Sequence, residues 1–303
     1  MGHRQGSPPR VRALLLRRRS LVAGRLLDGR RSRGLGHAPQ AVAVGTRREA
    51  RGMAKSGRTA PRFPFGVLWH SNAPWASTGY GQQTAIFAPR IARQVSGLAI
   101  SAFYGLHGGV IKWEGLTVLP PAYDAYGSDI ILNHAEAGFG GLDKGLVITL
   151  TDVWVLDPKK FGKLKCAAWV PVDHEPAQPP TVAWLKATGA VPIAMSRFGE
   201  RMLTDEGLEP VYVPHGYEPR AMYERDRVKA KAMLGVSPDQ FLVGMVAANI
   251  SKPSRKSYPE AFRAFAAFAA NHPEAVLYVH AHPFDKRGFD LPAMAEAAGI
   301  PSG

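Results

Sequence analysis

The chain has 303 residues, of which 46% are hydrophobic, so length and composition fit a globular protein of about two domains. Its single cysteine, Cys166, excludes an intramolecular disulfide framework and favours a reducing compartment such as the cytoplasm. No apolar run approaches the roughly 18–20 residues that cross a bilayer, so we expect no transmembrane segment.

The net charge of +14 is concentrated at the amino terminus. Residues 1–52 contain thirteen arginines and only Asp28 and Glu49 as acids, a net of +11, which leaves +3 for the remaining chain. This region is predicted to be a disordered basic tail, a phosphate-binding arm, a transit peptide, or sequence upstream of a true start at Met53. Because the rest is nearly neutral, we expect no specific nucleic-acid partner.

Strands and helices alternate from Phe65 onwards. Strands that are apolar throughout predict a parallel sheet covered on both faces, and the intervening helices predict a doubly wound α/β fold. Pro89 is a candidate kink, Ser196 a candidate N-cap and Gly207 a helix stop. The predicted strands are FGVLW, LAISAFY, DIILNH, LVITLTD, CAAWVPVD, VPIAMS and PVYVPHG, and the predicted helices are QQTAIFAPRIARQ, TVAWLKATG and SRFGERMLTDEG.

A second alternation begins after a polar helix. FLVGMVAAN and AVLYVHAH are predicted strands, and the helix between them opens with Ser257 and Glu260 as a capping box. Phe262, Phe265 and Phe268 recur at helical spacing and are interpreted as core. The predicted limits are a basic tail at 1–60, a first Rossmann-like domain at 61–218 and the beginning of a second at 219–303.

The second domain shows few strands for a doubly wound sheet, which needs enough of them to bury helices on both faces. The sequence reaches Gly303 with GIPSG (299–303), a turn-like stretch. We therefore expect the second domain to be truncated, with the rest of the protein beyond Gly303.

The order of several motifs resembles a known group of enzymes. A glycine-rich first loop, a serine at a strand end, a strand leading into a PHG turn and a second domain opening with an N…RK loop follow one another. This order is similar to that of retaining glycosyltransferases with the two-Rossmann-domain GT-B architecture, of the glycosyltransferase family 4 or group 1 type. The resemblance covers about residues 63–303 and is carried by STGYGQQ (77–83), IAMSRFGERMLTDEGL (193–208), VYVPHGYEP (211–219), VGMVAANISKPSRKSYPEAFRAF (243–265) and YVHAHPFDKRGFDL (278–291).

Three features depart from the family pattern. His215-Gly216 stands where the family usually has Asn-Gly, and the arginine-lysine pair follows its strand less directly than usual. The paired glutamates that hold the donor sugar and ribose in the family would lie beyond Gly303.

The resemblance implies a nucleotide-sugar donor bound mainly by the second domain, an acceptor bound by the first, and neither metal nor resident cofactor. It implies that Gly79 and Gly81 let backbone N–H groups at a helix start approach the donor diphosphate. Arg255 and Lys256 would neutralise that diphosphate, with Asn249 as a weaker candidate. The alternative for Gly79 and Gly81 is an ordinary strand-to-helix turn, and the alternative for Arg255 and Lys256 is an ordinary solvated loop.

Polar residues follow the apolar strands of the first domain, where ligands bind in open α/β sheets. Asp152, Asp173 and His174 are the candidate catalytic residues, His174 because it could hydrogen-bond a sugar hydroxyl or steady developing charge. The alternative is that DHEP is an ordinary acidic turn. The acceptor-side candidates are Glu175 in the same turn and Asn133 and His134 at the end of the preceding predicted strand.

The function predicted from the resemblance is transfer of a sugar with retention of the anomeric configuration. The acceptor is a sugar, lipid, protein or polymer, and the protein contacts a membrane surface or does not. One alternative is a sugar-nucleotide epimerase or phosphorylase of the same fold. Another is a non-catalytic binding fragment. His280 and His282 alternate on a strand, but no third ligand is evident, so we expect no metal site.

Overall fold

The computed structural model describes residues 13–15 and 63–300, and contacts divide them into two units. Residues 63–223 form the first unit, and residues 224–300 with residues 13–15 form the second. Most of the predicted tail lies outside the described residues, and the domain limits drawn from the sequence stay a prediction. Within the described ranges, no helix is both long enough and apolar enough to span a membrane.

Strands and helices are numbered along the chain. The strands are β1 (Ala13–Leu15), β2 (Phe63–Asn72), β3 (Val95–Tyr104), β4 (Ile111–Trp113), β5 (Leu116–Leu119), β6 (Gly145–Leu150), β7 (Cys166–Val170), β8 (Val191–Ala194), β9 (Val211–Tyr212), β10 (Phe241–Val246) and β11 (Ala275–His280). The helices are α1 (Gly79–Ala92), α2 (Ile131–Phe139), α3 (Pro158–Phe161), α4 (Pro179–Thr188), α5 (Arg197–Asp205), α6 (Arg227–Met233), α7 (Tyr258–Ala269) and α8 (Leu291–Ala297), with a 3-10 turn at Val153–Val155.

The first unit contains an eight-stranded sheet in the order β4-β5-β3-β2-β6-β7-β8-β9. Every neighbouring pair in it is parallel except β4 with β5. Trp69 of β2 lies opposite Ile100 of β3 on one side and Ile148 of β6 on the other. The chain therefore starts in the middle of the sheet, fills one side through β3 and β5, and then crosses to the other side at β6.

Both faces of this sheet are covered, which explains why its strands are apolar throughout. Leu68 packs into one core with Val147 of β6, whereas its neighbour Trp69 packs into the opposite core with Ala88 of α1 and Trp169. Successive side chains of a strand point to opposite faces, so each face here receives an apolar residue. The predicted doubly covered parallel sheet is confirmed.

One predicted strand is wrong, because DIILNH forms the end of a loop and the first turn of α2. Ile131, His134 and Ala135 are the buried residues of this helix, and their spacing of three and four residues places them on one face. In sequence, a short run of isoleucine and leucine is compatible with either a buried strand or a buried helix. Here the burial of this face stabilises the helix. Asn133 and His134 therefore lie inside a helix and not at a strand end.

The signals predicted for α5 are confirmed. The Ser196 hydroxyl accepts a hydrogen bond from the Gly199 amide at 2.9 Å, which caps the helix start. Gly207 follows the helix with φ of +77°, a conformation in which glycine avoids the strain of a side chain.

The second unit contains a three-stranded parallel sheet in the order β1-β11-β10. Its core is formed by apolar residues of β11, α7 and α8, including Leu277, Phe265 and Leu291.

The capping box predicted for α7 is wrong. Ser257 has φ of +51° and makes no cap, while the hydroxyl of Ser254 accepts from the Tyr258 amide at 3.1 Å. Glu260 instead pairs with Arg263 at 3.3 Å. Phe268 is also not core, because it is partly exposed and stacks on a neighbouring histidine with ring centres 4.1 Å apart.

Candidate functional site

The carboxyl ends of β2 and β6 form the topological switch point of the first unit, since the chain leaves β2 towards one side of the sheet and later continues on the other from β6. Open α/β sheets bind ligands at this position, beyond the carboxyl ends of the strands. The amino terminus of α1, which follows β2, and the segment after β6 both lie here. The site is therefore built from these two segments and the turn after β7.

Thr78 caps α1 and fixes the start of the glycine-rich stretch. Its hydroxyl accepts from the Gly81 amide at 3.0 Å and from the Asn72 side-chain amide at 2.7 Å. The Gly81 N–H is therefore engaged within the protein. A Cβ at position 81 would lie 2.4 Å from the carbonyl oxygen of Ala76, whereas a Cβ at Gly79 would meet nothing within 4 Å. Gly81 is required by packing, and Gly79 leaves the helix start open.

A hydrogen bond crosses the switch point between Tyr80 of α1 and Asp152 after β6. The Tyr80 hydroxyl donates to Oδ2 of Asp152 at 3.2 Å. Burial raises the pKa of Tyr80 strongly, and the charges of Asp152 and Asp173 raise it further. Tyr80 therefore stays protonated at neutral pH and remains a hydrogen-bond donor in the site. The sequence drew attention to the two glycines but missed this tyrosine between them.

Asp173 and His174 form a second polar pair in the turn after β7. His174 Nδ1 lies 2.6 Å from Oδ1 of Asp173, and the Gln178 amide donates to the same oxygen at 2.6 Å. A carboxylate can only accept, so Nδ1 carries the proton of this bond, and in the neutral imidazole Nε2 is then an acceptor. Both side chains of the pair are mostly exposed, so the imidazole can meet a ligand.

One further polar atom of this turn has no partner. Gln178 Oε1 is buried and accepts no hydrogen bond from the residues that the structure describes. The turn thus offers His174 Nε2 as an exposed acceptor that suits a hydroxyl donor, whereas Gln178 Oε1 is shielded from solvent. Glu175, the next residue after His174, is exposed.

His134 belongs to a buried network that the sequence did not reveal. Its Nδ1 lies 2.9 Å from the Ser101 hydroxyl, which lies 3.1 Å from Nδ1 of His70. The Tyr126 carbonyl accepts from Nε2 of His70 at 2.9 Å, so His70 Nδ1 is the acceptor and Ser101 donates to it. Burial lowers the pKa of His70 to about 4 and also lowers that of His134. Asn133 is exposed on the other side of α2.

The segment after β9 is tied to α1. Gln83 is buried and forms two hydrogen bonds with Gly216, donating to its carbonyl at 2.9 Å and accepting from its amide at 2.8 Å. His215 packs edge-on against Trp169 with ring centres 5.1 Å apart, and burial lowers the pKa of His215. His215 and Gly216 thus have a structural role here.

In the second unit, the Asn249 side chain forms hydrogen bonds to the loop at residues 282–289. It is buried, its side-chain amide donates to the carbonyls of His282 and Phe289 at 3.1 and 2.7 Å, and its Oδ1 accepts from the Phe289 amide at 2.9 Å. Arg255 and Lys256 are exposed between β10 and α7, and within the described residues neither forms an ion pair. The two cations remain available to a ligand, whereas the Asn249 side chain is already satisfied.

Replacing Asn249 by alanine is expected to destabilise the second unit by about 2 kcal/mol, because it leaves buried backbone groups of the 282–289 loop without partners. Hydrogen–deuterium exchange should then accelerate at Phe289 and its neighbours. Asn271→Ala, at an exposed asparagine of the same unit, is the matched control and should leave exchange unchanged. Equal exchange in both variants would contradict the conclusion that Asn249 stabilises the 282–289 loop.

Within the described parts of the chain, no group of three or more His, Cys, Asp or Glu residues is placed to hold a metal ion. His280 Nδ1 lies 3.2 Å from the Tyr278 hydroxyl, and His282 Nδ1 accepts from the Phe284 amide at 3.3 Å. Cavities of about 260 and 270 Å³ do occur elsewhere, one beside α6 and β10 and one at the amino end of β6. Their linings mix apolar side chains with charged ones such as Arg227 and Lys165. Neither joins hydrogen-bonded carboxylate, phenol and imidazole groups, so the polar edge of the first unit is the better candidate for chemistry.

Comparison with known proteins gives similarity at the level of fold. No protein-family model matches the sequence, and no curated protein matches it. The apo structure of OtsA is similar with a TM-score of 0.52 at 11% identity, over 78% of this chain and 69% of OtsA. HepE of Anabaena in complex with UDP and glucose gives a TM-score of 0.49 at 13% identity, over 78% of this chain and 67% of HepE.

At 11% identity, the similarity to OtsA concerns the fold alone. The α/β fold with two Rossmann-like units, the GT-B architecture predicted from the sequence, is confirmed. Truncation of the second unit, membership of family 4 and retention of configuration stay predictions.

Proposed function

We propose that the protein is a glycosyltransferase that transfers a sugar from a nucleotide-sugar donor to an acceptor hydroxyl. One observation carries this proposal, namely the Tyr80–Asp152 hydrogen bond across the switch point, beside the open start of α1 and the Asp173–His174 pair. A helix start favours anionic groups, and a cluster of carboxylate, phenol and imidazole groups suits sugar hydroxyls. The motif order of the family 4 type and the GT-B fold add support.

The roles that we assign follow from donors and acceptors. In the second unit, the exposed pair Arg255 and Lys256 would bind the donor diphosphate by neutralising its charge. In the first unit, Gly79 leaves the start of α1 open, and a helix start favours an anionic group. Asp152, oriented by Tyr80, would accept from a sugar hydroxyl, and His174 would offer Nε2 to another. Catalysis then consists of positioning and of stabilising the leaving diphosphate.

We propose that the reaction retains the anomeric configuration, as the family resemblance implies, and needs neither metal nor resident cofactor. The chain has a single cysteine and so no intramolecular disulfide, which favours a reducing compartment. The cytoplasm is therefore the location that we propose.

The experiment that tests the function is a donor screen with the full chain. Sugars linked to UDP, GDP, ADP and CMP are incubated with pooled hydroxyl acceptors, and release of the nucleotide and the anomeric configuration of the product are followed by NMR. Acceptor-dependent release supports a transferase. Turnover without acceptor would indicate an epimerase, dependence on inorganic phosphate would indicate a phosphorylase, and no release from any donor would leave a binding fragment.

Asp152→Asn is expected to lower the transfer rate about 10- to 100-fold, because a charged acceptor in the site becomes neutral. Asp143→Asn is the matched control, since Asp143 is an exposed aspartate that precedes β6 whereas Asp152 follows it. Initial rates at saturating donor measure the effect. Equal loss in both variants, or none in either, would contradict a role for Asp152.

A further inference from the structure

Exposed aromatic side chains lie at the carboxyl edge of the first sheet, the edge that carries the candidate site. Trp75 follows β2, Tyr104 ends β3, Tyr126 follows β5 and Trp154 follows β6, and their exposed fractions are 40%, 57%, 41% and 56%. We name these four residues the aromatic edge. Four large exposed rings at the end of the sheet where open α/β folds bind ligands form a candidate binding surface.

Trp75 is held with its polar atom turned inward. The indole N–H donates to the Gly105 carbonyl at 2.6 Å, and the Ala73 amide donates to the Tyr104 carbonyl at 2.8 Å. A Cβ at Gly105, where φ is +87°, would lie 3.0 Å from Cβ of Ala76, so the two loops are in close contact. Because the N–H is already satisfied, the exposed part of the side chain is largely the apolar ring, fixed before any ligand binds.

Tyr126 is fixed from beneath by the buried network. Its carbonyl accepts from Nε2 of His70, its amide donates to Asp124, and its ring lies edge-on to Phe103 with centres 5.9 Å apart. The Ser128 hydroxyl in the same loop accepts from the Asp157 amide at 3.1 Å. This bond joins the loop to the segment after β6 that carries Trp154. Trp75, Tyr126 and Trp154 therefore lie on segments that are bonded to one another or to the sheet, and Tyr104 ends β3 itself.

The chemistry of this edge selects a class of ligand. A pyranose ring has an apolar C–H face that packs on a flat aromatic ring and hydroxyl groups at its rim that need polar partners. The rings of the aromatic edge supply the apolar contact, and Asp152 and His174 supply polar partners for the hydroxyls. The Asp152 and Asp173 carboxylates disfavour an acidic saccharide at their own positions, whereas an anionic group is favoured at the start of α1.

We propose that the aromatic edge binds the acceptor and that this acceptor is a neutral saccharide chain whose rings stack on Trp75 and Tyr126. This inference rests on the proposed function, because it names the substrate class that the same site accepts. The inference selects the sugar among the four acceptor classes left open by the sequence. The faces of the sugar rings would contact the aromatic side chains, and the sugar hydroxyls would contact the polar side chains.

A glycan array of neutral and anionic oligosaccharides, together with vesicles of anionic phospholipid, tests the inference with the full chain. The unmodified protein is expected to bind neutral glycans, and Trp75→Ala and Tyr126→Ala are each expected to weaken the best of them about tenfold or more, the size of an interface hot spot. Trp75→Phe, which keeps a ring, should recover part of the loss. Phe63→Ala is the matched control, since Phe63 is 52% exposed at the opposite end of the same sheet.

Three results would overturn the inference. These are no binding of any neutral glycan, binding to anionic vesicles alone, and equal losses in Phe63→Ala and Trp75→Ala. Binding of UDP, GDP and ADP, measured separately by calorimetry, distinguishes this failure from failure of the proposed function. If Trp75→Ala weakens the nucleotide as much as the glycan, the ring serves the donor and the acceptor assignment is wrong while the transferase stands. If glycans bind but no nucleotide binds and no donor is turned over, the transferase is wrong.

Discussion

Replacing Gly81 by alanine is expected to destabilise the first unit by about 3 kcal/mol or more, an unusually large loss for the addition of one methyl group. The new Cβ would lie 2.4 Å from the carbonyl oxygen of Ala76 and 2.9 Å from that of Ala73. Both obstacles are backbone atoms, so no side-chain rotation relieves the overlap. The start of α1 would have to move away from the loop after β2.

Gly79→Ala is the matched control, two residues away in the same turn of α1. A Cβ there meets nothing within 4 Å, and alanine favours a helix over glycine, so stability should change by less than about 1 kcal/mol and in the favourable direction. All six tryptophans of the chain lie between positions 69 and 184, so tryptophan fluorescence during urea unfolding reports on the first unit. Equal midpoints for the two variants would contradict the packing role of Gly81.

The second large effect is a dependence of stability on pH that originates at His70. Burial lowers its pKa to about 4 from an ordinary value of 6.5. Above pH 6.5 the histidine is neutral in both folded and unfolded chains. Between pH 6.5 and 4 the unfolded chain binds a proton that the folded chain does not, so the first unit loses about 3 kcal/mol across this window. The buried His134, whose pKa is also lowered, adds to the loss in the same direction.

Unfolding free energies of the unmodified chain and of His70→Gln, measured by tryptophan fluorescence between pH 4 and 8, test this origin. Glutamine can donate to the Tyr126 carbonyl but takes up no proton, so the slope of stability against pH should fall by close to one proton. The slope is the informative quantity, since the substitution also alters packing at every pH. An unchanged slope in His70→Gln would place the titrating group elsewhere.

Sequence patterns predicted the features that depend on neighbours along the chain. Apolar strands indicated a sheet covered on both faces, Ser196 and Gly207 marked the limits of α5, and Asp152 and Asp173 were placed after their strands. Each of these signals is a local preference of backbone or side chain. Local patterns therefore located the edge of the sheet at which polar side chains gather.

The features that the sequence did not predict depend on partners far along the chain. His70 is separated by 31 residues from Ser101, and Ser101 by 33 from His134, so no short window shows that they form one network. The DIILNH run was interpreted as a strand because its helical face becomes evident only when the buried neighbours of Ile131 and His134 are known. Gly81 shows a related limit, since the sequence suggested a close approach to the backbone but not that the loop after β2 makes it.

The pair of hydrogen bonds between Gln83 and Gly216 has a consequence for the order of folding. The two residues are 133 positions apart, so closing this contact costs loop entropy that only a nearly complete first unit offsets. During synthesis, α1 emerges from the ribosome long before Gly216 does. The Gln83 side chain therefore cannot form these two hydrogen bonds until the last strands of the unit have been synthesised. We expect the Gln83–Gly216 contact to form late in folding.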